Sequence, residues 1–240
     1  MRTRTVVPTA APSAPPGKTL TVLCLALLLA LPGCSVMQLN AFEKHAARGE
    51  HAWIARQVVA CDDASVACAQ LHLMRGDACL RVAGAAARPA AALACAADAL
   101  ELGLSLNAAW PDPDERRWFQ EKLCQSLKRL ADLQSGPTAA QTAARLTEAA
   151  EGLYRLAPAG AGAVYYLAEA RLRQVLPLSP DMTPAERLPV CNRLKRTLIG
   201  VLSMTQTARN RPPEDWDRFA DAYQRLAFDL GTALRAAQCR

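Results

Sequence analysis

From Ala41 to the C-terminus, apolar residues return every three or four positions, and nowhere do polar and apolar residues alternate between turn signals. The first spacing gathers side chains onto one stripe of a helix, whereas a half-buried strand needs a period of two. The last segment is the clearest case, with Trp216, Phe219, Ala220, Tyr223, Leu226, Ala227, Leu230 and Leu234 on one stripe. Aromatic residues are only 5% of the chain while alanine recurs throughout, which favours closely packed helices over a β-sandwich. The 51% of hydrophobic residues supply enough apolar area to offset chain entropy, so disorder is excluded as the main state. The expected fold is all-α, either a stack of helical hairpins or a compact helical bundle.

Glycine and proline divide this pattern into units. Helices are predicted over residues 41–48 and 50–61, joined at Gly49, then over 66–83, 89–105, 113–133, 138–157 and 161–175. Ser135-Gly136-Pro137 and Pro158-Ala159-Gly160 are the clearest breaks. Thr183-Pro184-Ala185-Glu186 has the form of a capping box with proline at the first helical position, opening a helix to about Ala208 that Pro189 shifts or bends. A last helix is predicted over 213–239.

The N-terminal segment is different. Arg2, Arg4 and Lys18 precede an apolar run from Leu20 to Leu31, followed by Pro32-Gly33-Cys34. The run falls short of the ~20 apolar residues that cross a bilayer, and it suits the hydrophobic core of an export signal. Leu31-Pro32-Gly33-Cys34 resembles the bacterial lipobox, with Pro32 where that family usually has a small residue. The resemblance implies removal of residues 1–33, a diacylglycerol thioether on Cys34, and a short tether over 34–40. Ser35 after the cysteine, rather than Asp, is similar to the outer-membrane default of such lipoproteins. The implied place is the outer membrane, lipid-anchored and facing the periplasm, with membrane lipid as a partner through acylated Cys34. Without the leader's three cations the chain carries 25 basic and 22 acidic residues, with no long run of one sign. A nucleic-acid partner is therefore not expected.

Export makes disulfides plausible. Setting aside Cys24 in the leader and Cys34, seven cysteines remain: Cys61, Cys68, Cys79, Cys95, Cys124, Cys191 and Cys239. Cys79 and Cys95 are equidistant from Ala87, the centre of an alanine-rich connection, so in an antiparallel hairpin they can meet. Cys61 and Cys68 bracket a six-residue connection that a bridge would close. Both pairs are candidate disulfides; the other three cysteines leave an odd count, so at least one thiol is free or pairs between chains. Cys68 and His72, with Cys61 and Cys79 nearby, nominally supply four zinc ligands. No C-x₂-C or H-x₃₋₅-H spacing supports a metal, and none is expected.

Two stretches resemble tetratricopeptide repeats (TPR), helix–turn–helix units of about 34 residues. Gly76-Asp77-Ala78-Cys79-Leu80-Arg81 with the segment from Ala92 to Leu102 is one, Cys79 standing where tyrosine is usual. Val164-Tyr165-Tyr166-Leu167-Ala168-Glu169-Ala170-Arg171-Leu172, after Pro158, is the other. Gly49-Glu50-His51-Ala52-Trp53-Ile54-Ala55 resembles the turn and second helix of a leading partial unit. In the first unit Gly76, Ala92, Ala96 and Ala99 would let backbones approach, with Leu73, Leu93 and Leu100 in the seam. The resemblance implies repeats over 41–176, with residues 177–240 forming a C-terminal helical pair on the stack.

Converging catalytic groups are scarce. His45, His51 and His72 are the only histidines, and nucleophile-elbow, zincin, phosphate-loop and dinucleotide signatures do not occur. The pairs Asp62-Asp63, Asp112/Asp114 and Glu214-Asp215 fall at predicted helix starts, where carboxylates cap free N–H groups. Cys124, among Leu123, Leu127 and Leu130, is expected to be buried and inert, and Trp110 and Trp118 to anchor a helix junction. No enzyme activity and no cofactor are expected. Recognition by a surface remains: Gln70, Asp77, Arg81, Tyr165, Glu169 and Arg173 should face away from the seam and hold a polar segment of a periplasmic or outer-membrane protein. The expected function is a non-catalytic scaffold for a cell-envelope assembly; a solute-binding accessory subunit of a transport system is the alternative, and an enzyme comes third.

Overall fold

Local signals set the helix starts. The computed structural model describes residues 33–106, 112–176, 178–179 and 181–239; the expected leader, apart from Gly33, and Trp110 lie outside them. Among the described residues there are nine α-helices and no strand: α1 (Gly33–Ala47), α2 (His51–Arg56), α3 (Val66–Val82), α4 (Pro89–Leu106), α5 (Pro113–Asp132), α6 (Gly136–Leu156), α7 (Ala161–Arg173), α8 (Pro184–Asn210) and α9 (Ala220–Ala236). Ser65 Oγ accepts the Cys68 N–H at the start of α3, and Asp112 Oδ1 accepts the Asp114 N–H before α5. At α8 the capping box is complete. Thr183 Oγ1 accepts the Glu186 N–H, and the Glu186 carboxylate accepts the Thr183 N–H, which holds that carboxyl below its usual range. Pro189 lies inside α8, which runs through it. Gly49 takes φ of +72° in the turn before α2, and Gly136 takes +63° as the first residue of α6.

Three expected boundaries move. Residues 34–40, read as a tether, belong to α1, whose Gln38 Nε2 donates to the Val58 carbonyl at 2.8 Å. The helix expected over 50–61 stops at Arg56, because the following segment is bound sideways: His72 Nε2 lies 2.9 Å from the Cys61 carbonyl and Cys61 is bridged to Cys68. The helix expected from 213 begins at Ala220, after a 3-10 turn at Trp216–Arg218.

Successive helices pack as hairpins, and the odd-numbered helices also pack on one another: α1 on α3, α3 on α5, α5 on α7, α7 on α9. Among the described residues the even-numbered helices lie farther apart, although Arg145 of α6 reaches Asp98 and Glu101 of α4. Odd helices therefore form a continuous inner layer while even helices fan apart outside it, as in a curved stack of hairpins. The main core runs from Leu73 to Ala237 without a break at residue 177, so α8 and α9 continue the alternation. Smaller clusters lie around Phe42, Ile54 and Leu71, and around Cys79, Leu93 and Leu130. Helix α4 is long and apolar enough to cross a membrane, but it packs between α3 and α5 and carries Asp98 and Glu101 to Arg145 of α6.

The α3–α4 seam is interlocked. A Cβ at Gly76 would lie 2.6 Å from Leu100 Cγ, and one at Gly103 would lie 2.7 Å from Leu73 Cγ and 2.9 Å from the Ala69 carbonyl. Each leucine thus sits on the other helix's glycine, at a separation no larger residue allows. The Cys79–Cys95 disulfide staples the same hairpin, and Cys191–Cys239 ties the end of α9 to α8. In the chain-entropy description, closing that 48-residue separation contributes about 4 kcal/mol.

At the far end, α9 is locked to α7 through three groups. Asp215 accepts the Ala161 and Gly162 N–H groups at 3.0 and 2.8 Å, capping α7 from another element. Tyr223 Oη donates to the Ala161 carbonyl at 2.8 Å, and the Phe219 ring fills the space beside Gly162. The need for Asp215 to reach α7 explains why residues 213–219 do not join the α-helix.

Gly103→Ala should lower stability by about 1–3 kcal/mol in urea unfolding, since the clash includes a backbone carbonyl. Gly84→Ala, where an added Cβ would meet nothing within 4 Å, should change it by no more than about 0.5 kcal/mol.

Candidate functional site

The six residues expected to form a binding face lie on odd helices, and the inner layer puts most of them between helices. Asp77 of α3 holds Arg81 at 2.7 Å and Lys122 of α5 at 2.5 Å. Glu169 of α7 is 9% exposed, pairs with Arg173 at 2.7 Å and approaches Lys128 of α5 at 3.7 Å. Arg173 also pairs with Asp132 at the end of α5. Tyr165 is 9% exposed and packs in an aromatic cluster with Tyr166, Phe219 and Tyr223. Its burial pushes the phenol pKa up, with Glu169 adding to the effect. Gln70 is half-buried and Arg81 is exposed. A residue facing away from its own hairpin here meets the next odd helix. Asp77, Glu169 and Arg173 therefore pair across helices of the layer and Tyr165 is buried in it, while Glu169 and Arg173 also line an open groove.

This ladder has a defined electrostatic sign. Burial works to raise the Asp132 carboxyl pKa, but Arg173 and Lys128 outweigh it and hold the group below its usual range. On Arg173, burial disfavours the charge, and Glu169 and Asp132 more than restore it.

The open concavity lies beside the ladder. The C-terminal ends of α5, α7 and α9 and the first half of α6 enclose a groove of about 1150 Å³. Ala139, Ala140, Ala143 and Ala144 of α6 form one wall, Leu172, Leu176 and Leu178 another, and Thr232, Ala233 and Ala236 of α9 the third. Glu169 and Arg173 contribute a paired charge, and Asp229 stands at the rim. Sequence reasoning named Glu169 and Arg173 but missed the alanines of α6 and α9, because alanine on a helix reads as close packing. Only the run of small residues after Gly136-Pro137 could have signalled it, and the divergence of even helices is what leaves them uncovered. Such a surface can bury the apolar side of an added segment while polar groups at its edge orient it.

The other candidates fall elsewhere. Cys34 stands in the first turn of α1. Cys61–Cys68 and Cys79–Cys95 are bridged, as is Cys191–Cys239, a pair that spacing alone did not single out. Sulfurs of Cys61 and Cys68 and a His72 ring nitrogen lie within 4.8 Å, but the bridge occupies both sulfurs, while Cys79 is joined to Cys95. His45 stacks on Trp53 and pairs with Glu50, away from His72. Cys124 is free and fully buried; burial, then the Glu121 charge, pushes its thiol pKa up, so the reactive thiolate is not formed at neutral pH. Trp118 carries Lys122 at 4.0 Å over its ring.

No protein-family model matches the chain, and no curated protein is significantly similar to it.

Asp132 has its pKa lowered by folding, so its contribution to stability is full above the ordinary carboxylate range and is lost as pH falls through that range and below. Asp132→Asn should therefore melt below the wild type at pH 7, and the gap should close below about pH 4. A gap that is independent of pH would contradict the ladder.

Proposed function

We propose that the chain is a lipoprotein of the bacterial outer membrane, held by an acyl group on Cys34, whose TPR-like stack is a non-catalytic scaffold for an envelope assembly. The leader and Leu31-Pro32-Gly33-Cys34 support the anchor, and α1 starting at Gly33 would set the folded body directly against it. Three intramolecular disulfides fit an oxidising compartment. The observation that carries the scaffold reading is the groove across α5, α6, α7 and α9. Its lining is mostly aliphatic and spans four helices and the segment after α7, as suits a segment of another protein. Its openness at the rim of the stack favours this over a small solute, which calls for enclosure on most sides.

Two variants separate the parts of this reading. Cys34→Ser should move the protein from salt-washed membranes to the soluble fraction of the envelope, since high salt removes any purely electrostatic attachment. A photo-crosslinker at Thr232 should capture one envelope protein, and Ala140→Arg should abolish that product while leaving the melting curve in place. Salt-resistant membrane fractionation unchanged by Cys34→Ser would refute the anchor. Crosslinks indifferent to Ala140→Arg would refute the groove as the docking surface.

A further inference from the structure

Helix α8 carries a face that the proposed scaffold does not use. Its inner side, through Cys191, Leu194, Thr197, Val201 and Ala208, packs on α7 and α9. As an even helix at the end of the stack it meets no further helix, so its other side is bare. On that side Leu188, Ile199 and Leu202 form one stripe, eleven and three residues apart, close to whole turns of the helix. They are 63%, 65% and 52% exposed, among the most exposed large aliphatic residues of the chain. Ile199, Leu202, Gln206 and Arg209 border a shallow hollow of about 480 Å³.

Charge on α8 is one-sided. Arg187, Arg193, Lys195, Arg196 and Arg209 stand against a single acid, Glu186, and that acid is taken up by the capping box at the N-terminus. Arg193 reaches only the Gln174 side chain, at 3.4 Å. Among the described residues Arg196 and Arg209 form no ion pair. Elsewhere the molecule matches its interhelical cations: Lys122 with Asp77, Arg145 with Asp98 and Glu101, Arg173 with Asp132 and Glu169. Helix α8 differs in carrying five cations and one acid beside an aliphatic stripe.

We infer that the outer face of α8 is a binding surface for an anionic lipid bilayer. Leu188, Ile199 and Leu202 enter the headgroup boundary, and Arg196 and Arg209, on either side of that stripe, face lipid phosphates. A helix with aliphatic residues on one stripe and cations flanking it suits that boundary, where apolar burial and attraction to anionic headgroups act together. Charge complementarity selects this occupant over a second copy of the chain. A symmetric pair through α8 would set the same unpaired arginines opposite each other. The inference stands without the acyl group, because the face lies on the folded body, whose core begins at Phe42.

The test uses the chain from residue 34 with Cys34→Ser, so that neither leader nor acyl group is present. It is sedimented with vesicles of phosphatidylcholine alone or with one third phosphatidylglycerol. Binding should appear only with the anionic lipid and should fall steeply as salt is raised. Arg196→Gln and Arg209→Gln should each weaken it about fivefold. Ile199→Ser with Leu202→Ser should reduce it further, while Val58→Ser, 76% exposed in a different part of the chain, should leave it unchanged. All substituted side chains are exposed, so melting curves should coincide. Equal binding to neutral vesicles, no binding to either, or insensitivity to the α8 variants would overturn the inference. So would self-association without lipid that is lost in the Ile199→Ser, Leu202→Ser variant, which would make the occupant a second copy.

Discussion

Contact between successive odd helices, without matching contact between even ones, is the constraint from which the rest of this structure follows. Stacking on one layer alone opens the other layer outward. Side chains that point away from a hairpin on the inner layer are consumed by the next odd helix, which is why Asp77–Lys122 and Arg173–Asp132 cross between helices. On the outer layer the same geometry withholds neighbours. The alanines of α6 line a groove and the aliphatic stripe of α8 remains bare for one reason: no even helix comes to cover them.

The layer is held by two kinds of close fit. At the N-terminal end, Leu73 on Gly103 and Leu100 on Gly76 set the hairpin separation, and the Cys79–Cys95 bridge closes the same hairpin. At the C-terminal end a polar lock replaces the glycines: Asp215 caps α7 and Tyr223 takes the Ala161 carbonyl. Between them the ion pairs supply register more than energy, since charges that are partly exposed are screened and contribute modestly. Burial of Cys124 and of the tyrosine cluster leaves those groups protonated and inert at neutral pH, consistent with structural roles for them.

Most of the helices were legible because periodicity and punctuation coincide: Asp112 and Thr183 cap where they should and Gly136-Pro137 opens α6, while at α3 the cap is Ser65 rather than the Asp62-Asp63 pair. Boundaries failed where a long-range contact overrode local preference. Residues 57–64 leave the helical path to meet His72 and Cys68, and residues 213–219 do so to bring Asp215 to α7. The site was less legible. Helical period tells which residues share a face but not what the face meets, so Tyr165 and Glu169 read as surface although they are buried against neighbouring helices. The groove was hidden for the opposite reason, since alanine gives the same signal whether a helix covers it or not.

The account rests on an exported, acylated stack closed by internal bridges, and intact-mass spectrometry of the protein extracted from envelopes tests it most directly. The expected species begins at Cys34, carries the mass of a diacylglycerol and an amide-linked acyl chain, and lacks six hydrogens for three disulfides, with one thiol alkylated only after unfolding. A species that retains the leader and bears no lipid, or one whose seven remaining cysteines all alkylate without reduction, would contradict it.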